Sequence, residues 1–226
     1  MGSYADDALF MSRNNIEYVE LISDDGKSKV MVIPAWQGRV MTTSAAGDEG
    51  DSYGWINYSF IKKRQIDLQF NPVGGEERFW LGPEGGVFSL YFRQGEKQIY
   101  KNWKVPPVLD IEAFKIQSQS KNCICLTKEG CLTNACGTTF YLNIKRTISL
   151  LDINEFAASF NLEFPKDIKA VAYKSDNQIT NIGNESWNKE TGLISVWMLS
   201  MFNPTSATTV SVSYTHLRAH ETSQDL

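Results

Sequence analysis

The chain reads as an all-β protein built as a large antiparallel sandwich, and three observations say so. Nearly every periodic stretch has the two-residue rhythm of a strand, helical signals are confined to two or three short stretches, and strands never alternate with helices as a parallel βαβ sheet requires.

A short helix is expected first, over residues 6–12. Residues 16–22 alternate, Asp24-Asp25-Gly26-Lys27 supplies turn chemistry, and residues 29–33 follow as the second arm of a hairpin. A strand over 39–44 runs into residues 46–52, too polar and glycine-rich to be anything but a loop, and a weaker helical pattern follows at 58–63. Further strands are expected over 87–92, 114–120, 122–127, 139–151, 169–180 and 193–201. The stretch 139–151 is long, β-branched and aromatic, which suits a strand crossing a wide sheet. Asp152-Ile153-Asn154-Glu155 has the form of a capping box, with Asp152 accepting from the Glu155 N–H while Glu155 reaches back, and Pro165 stops the helix it begins.

Composition narrows the function classes. Lysine and arginine number 22 against 26 aspartates and glutamates, a net charge of −4, which leaves no basic footprint for nucleic acid and no polybasic membrane patch. No apolar run approaches the roughly 18 residues of a membrane span, and residues 1–7 lack the pattern of an export signal. Hydrophobic residues make up 42% and aromatics 12%, enough for a sizeable core in one domain. Cys123, Cys125, Cys131 and Cys136 lack the C-x2-C knuckles that present two thiolates to zinc. They are expected as free thiols, with a disulfide across a hairpin left open, and neither a metal nor a cofactor is expected.

The densest candidate site is the stretch 71–86, expected as a rigid turn-rich loop with five glycines, two prolines and three glutamates around Arg78 and Trp80. A guanidinium offers a planar fork of donors suited to vicinal sugar hydroxyls or a carboxylate, and an indole stacks on the apolar face of a pyranose. Arg78 and Trp80 are therefore candidate ligand contacts, with Trp36 and Trp55 as further sugar platforms because glycine and polar residues bracket them. Glu76, Glu77 and Glu84 are candidate acid and base groups if their environments split their pKa values. Asn181, with Asn177, shares a strand face that can hydrogen-bond a sugar, although Asn181 with Gly183 and Asn184 also suits a turn. The bland alternatives are a structural corner at the glycines, a salt-bridged turn at Arg78, and Phe79 and Trp80 as plain core.

Several blocks carry a resemblance. They are Trp36-Gln37-Gly38-Arg39-Val40-Met41-Thr42, Tyr53-Gly54-Trp55-Ile56-Asn57, Gly74-Gly75-Glu76-Glu77-Arg78-Phe79-Trp80-Leu81-Gly82-Pro83-Glu84-Gly85-Gly86, Asn177-Gln178-Ile179-Thr180-Asn181-Ile182-Gly183 and Trp197-Met198-Leu199-Ser200-Met201-Phe202-Asn203-Pro204. Together they resemble a group of uncharacterised bacterial proteins similar to galactose-mutarotase-like (aldose 1-epimerase-like) supersandwich proteins. The resemblance implies a large antiparallel supersandwich with a saccharide-sized cleft on a concave sheet, and it sets Arg78 near the ligand. Aldose mutarotases use a general base on the anomeric proton and an acid on the ring oxygen, commonly glutamate with histidine. The glutamate's equivalent is expected late in the fold, beyond this sequence, so any proton transfer here falls to groups such as Glu76, Glu77 or Tyr53.

Residues 212–222 resemble the in-frame translation of a transposon-end sequencing adapter. Residues 1–211 are accordingly expected to form a partial mutarotase-like domain, truncated at its C-terminus, and 212–226 a foreign tail. That excludes both histidines, His216 and His220, from any site. A sandwich cut before its later strands is expected to leave unpaired edges and to aggregate. The function expected is saccharide binding, either as a divergent aldose epimerase or as a non-catalytic binder, with a non-catalytic structural or interaction sandwich as an alternative. A glycoside-cleaving enzyme is a third possibility; it requires Glu76 or Glu77 to face Glu84 at about 5–9 Å.

Overall fold

The computed structural model describes residues 2–165 and 167–212. Both histidines and most of the expected foreign tail lie outside the described residues. The fold is an antiparallel β-sandwich with an extra helical layer.

The first sheet has the order β1 (Val19–Ile22), β2 (Lys29–Ile33) and β3 (Arg39–Ser44). A bridge between Val40 and Glu77 carries it on into β4 (Arg78–Gly82), which pairs along its length with β9 (Ser195–Leu199). The second sheet has the order β5 (Lys115–Gln119), β6 (Cys123–Thr133), β7 (Thr139–Leu150) and β8 (Tyr173–Asn181). Alternation places Val30, Val32, Val40, Phe79 and Leu81 of the first sheet against Ile124, Leu126, Leu142, Ile144 and Ile148 of the second, which is the main core.

Both β2 and β3 are buried at every position because their other face is covered as well. Met31, Ile33 and Met41 pack there with Tyr4 and Met11 of α1 (Tyr4–Arg13) and Ile61 of α2 (Tyr58–Lys62). This second core explains why β2 reads as a continuous apolar run rather than an alternating one.

Helix α1 starts two residues earlier than the sequence suggests. The Ser3 hydroxyl accepts from the Asp6 N–H at 3.2 Å while the Asp6 carboxylate accepts from the Ser3 N–H at 3.1 Å, a capping box with aspartate where glutamate is usual. Ser3→Ala is expected to cost about 1 kcal/mol of stability in urea denaturation. Near the sandwich edge, α4 (Ile153–Ser159) forms where expected, with the Asp152 carboxylate accepting from the Asn154 and Glu155 N–H groups. A short helix, α3 (Pro107–Asp110), had no sequence counterpart.

Two expectations are corrected. Residues 87–92 form no strand: Leu90, Tyr91 and Phe92 are buried, but their backbone bonds go to Pro83 and Lys104 in loops, so the apolar run serves packing alone. Conversely, β4 lies inside the stretch expected to be a loop; the glycines and prolines on both sides masked a five-residue strand. Among the described residues all four cysteines are free thiols, no group of three metal-ligating side chains converges, and no helix is long and apolar enough to cross a membrane.

Candidate functional site

An irregularity in β3 creates the site. Met31 pairs with Thr42 but the next residue, Val32, pairs with Val40, so Met41 is an extra residue bulged out of the ladder. Consecutive threonines beyond the bulge serve opposite sides of the sheet. Thr42 hydrogen-bonds Ser52, which donates to Asp7 of α1, whereas the Thr43 hydroxyl lies 3.0 and 2.9 Å from the two carboxylate oxygens of Glu76. The Glu76 backbone is fixed by its own N–H donating to the Met41 carbonyl at 3.2 Å.

Glu76 forms part of the wall of a cleft of about 1000 Å³. Thr43 and Tyr53 come to it from the first sheet and the loop after it, Tyr173 from the start of β8, Phe156 and Phe164 from α4 and the segment beyond, and Phe202 and Asn203 from the chain after β9. Burial pushes the Glu76 carboxyl up to about 7; the Thr43 hydrogen bonds oppose that shift, and the neighbouring Glu77 charge adds to it. Burial also raises the Tyr53 phenol, helped by Asp51 and Glu76. Tyr173 is raised further, by burial and then by Glu76 and Glu77, with Arg146 opposing. Both phenols thus hold their protons at neutral pH. A carboxyl poised between its two forms, in a partly aromatic cleft that two protonated phenols also line, is equipped for acid–base exchange.

The other expected site residues are dispersed. Glu77 does not share the Glu76 cleft: its carboxylate accepts from the Arg146 guanidinium at 2.7 Å inside the sandwich. Glu84 is exposed and accepts from the Trp80 indole N–H at 2.7 Å. Glu84 is not among the residues that line the Glu76 cleft, so the two carboxyls do not share that groove.

Arg78 does not face a ligand-binding loop. It is 1% exposed, donates to Asp110 at 2.9 Å and to the Leu109 carbonyl at 3.0 Å, and lies 4.1 Å from the Trp80 ring centroid. Every residue of β4 is buried, so both faces of the strand are covered. Trp80 is core, stacked on Tyr91 at 5.4 Å and edge-on to Trp197 at 5.8 Å. Trp55 is 37% exposed and outside the Glu76 cleft, its N–H donating to the Met201 carbonyl. Trp36 is half-buried in a 3-10 turn, Pro34–Trp36, beside a different hollow. Asn181 makes a turn, donating to the Glu185 carbonyl at 2.7 Å and accepting from the Gly183 N–H at 2.9 Å. Asn177 lies against Met198.

With this geometry in place, the family follows from the chain as a whole. The sequence profile described as Family of unknown function (DUF6786) matches residues 2–225. The chain belongs to that family. The matched span takes in residues 212–222, the segment expected to be foreign. No curated protein and no solved structure matches this DUF6786 member, so any chemistry assigned to it has to come from its own cleft.

Sequence reasoning missed Tyr173, Thr43 and Asn203. Each lies in an ordinary strand or loop context, and only the sandwich brings them to Glu76. The one local trace is the pair of adjacent threonines, Thr42-Thr43, with hydroxyls on a strand otherwise apolar enough for the core.

Proposed function

We propose that this DUF6786 protein binds a saccharide in the Glu76 cleft and exchanges protons with its anomeric centre, an aldose 1-epimerase-like activity. The observation that carries the reading is the Glu76 carboxyl, buried in the cleft wall with its pKa pushed up to about 7. Galactose-mutarotase-like chemistry needs a base for the anomeric hydroxyl proton and an acid for the ring oxygen. Ionised Glu76 takes the O1 proton as the C1–O5 bond breaks, and a phenol in the cleft gives its proton to O5. After rotation about the exposed C1–C2 bond the same transfers run in reverse, so no proton is gained or lost. Phe156, Phe164 and Phe202 supply apolar surface for the sugar's C–H faces, and Asn203 supplies an amide for its hydroxyls. Because Glu76 works alone among the glutamates, the paired-carboxylate route of glycoside hydrolysis is not proposed.

Polarimetry of freshly dissolved α-D-galactose and α-D-glucose tests this. The protein should accelerate mutarotation above buffer, with a rate that climbs as pH rises through about 7 and Glu76 ionises, then levels off. Glu76→Gln should lower the rate by about 10²–10⁴-fold. Sugar binding without acceleration would contradict the proton-transfer role, and absence of both would contradict the saccharide.

A further inference from the structure

A second hollow, of about 400 Å³, lies on the other side of the first sheet, between α1, α2 and the Pro34–Trp36 turn. Its walls are the Trp36 indole with Phe60 and Ile66, Arg64 also borders it, and Asp110 and Asn71 lie among its inner residues. A volume at the lower end of small-molecule sites holds one ring, and an indole beside it supplies a stacking face.

The buried guanidiniums of the fold outnumber their carboxylate partners among the described residues. Three guanidiniums, Arg39, Arg78 and Arg146, are almost fully buried. Arg78 pairs with Asp110 and Arg146 with Glu77, but Arg39 has no carboxylate partner among the described residues. Its Nη1 donates to the Gly74 carbonyl at 2.8 Å and its Nε has no partner. Burial and the Arg78 and Arg146 charges push its pKa down, with Asp110 opposing, yet a guanidinium starts so high that it keeps its proton. Val73, next to Gly74, and Asp110 both line the hollow, so the surplus charge lies behind its wall. Arg64, exposed and held by a hydrogen bond to the Arg13 carbonyl, adds a second positive group.

Asn15 (φ 59°) and Arg64 (φ 52°), which line the hollow, take the left-handed conformation that ends α1 and α2.

We infer that this hollow binds a small ring-bearing carboxylate, its ring on Trp36 and its negative charge paired with Arg64, with the field of the Arg39 guanidinium behind the wall adding to the attraction. The chemistry is shared by sugar acids and aromatic acids. This site is separate from the Glu76 cleft and stands or falls independently of it.

Isothermal titration with D-glucuronate and with benzoate, each set against its neutral counterpart, D-glucose or benzyl alcohol, separates the sources. At least one carboxylate should bind, its neutral counterpart at least about tenfold more weakly, as expected for loss of charge-assisted bonds. Arg64→Ala, at an exposed position that leaves the core intact, should weaken the bound acid by a similar factor, and Trp36→Ala should do so through the ring. In 1H–15N spectra the acid should shift the Trp36 indole resonance. The inference is overturned if neither acid binds at millimolar concentration, if the neutral counterpart binds equally well, or if Arg64→Ala leaves the affinity unchanged.

Discussion

Asp110→Ala is expected to lower the stability of the protein by about 3–5 kcal/mol, the range for removing one partner of a buried ion pair. Asp110 accepts from the Arg78 guanidinium at 2.9 Å and from both the backbone N–H and the side-chain amide of Asn71, at 3.1 and 2.7 Å. Deleting the carboxylate strands a buried positive charge between aromatic rings and leaves the Asn71 donors unpaired. Arg78→Met should cost less, because Asp110 keeps the Asn71 donors and the thioether fills apolar space beside Phe70 and Trp80. Urea denaturation of both single variants and the double variant gives the coupling between them. A stability unchanged by Asp110→Ala would mean that Arg78 is not held in the interior.

Glu76→Gln is expected to stabilise the protein at alkaline pH and to be nearly neutral in acid. The folded-state pKa of Glu76 is raised from 4.5 to about 7. The folded protein therefore binds this proton more tightly than the unfolded chain does, and stability from protonated Glu76 is complete below the unfolded value. It is lost as pH rises through the folded value. The shift corresponds to a penalty on the order of 3 kcal/mol at pH 8–9, which glutamine, still able to accept from Thr43, does not incur. Asp7, also raised by burial, adds its own loss in the same direction, so the difference between the two proteins, not either curve alone, isolates Glu76. Denaturation at pH 5 and at pH 8.5 reads it.

The strands that carry a clean pattern were legible in the sequence: β2, β3 and β7 depend on runs of apolar and β-branched residues that any core would select. Strand β4 was not, because Gly74-Gly75 before it and Gly82-Pro83 at its end carry the stronger local signal. Glu76 stood out by its company in that stretch, but what sets its chemistry, burial against Thr43 and Tyr173, is tertiary. The bulge at Met41 that turns Thr43 toward it leaves no mark in the residues themselves. In sequence Arg78 reads as a fork of donors for a ligand, and its partner Asp110 lies in a short helix that nothing in the sequence announced. Trp36 and Trp80 look equally suited to a sugar in sequence; packing made one the wall of a hollow and the other core.

Glu76, in the cleft wall, is expected to change protonation near neutral pH. Carbon-13 NMR of glutamate labelled at Cδ, with the Glu76 resonance assigned by its loss in Glu76→Gln, measures this directly. A titration midpoint at about 7 is expected; a midpoint at the ordinary 4.5 would overturn the acid–base role of Glu76.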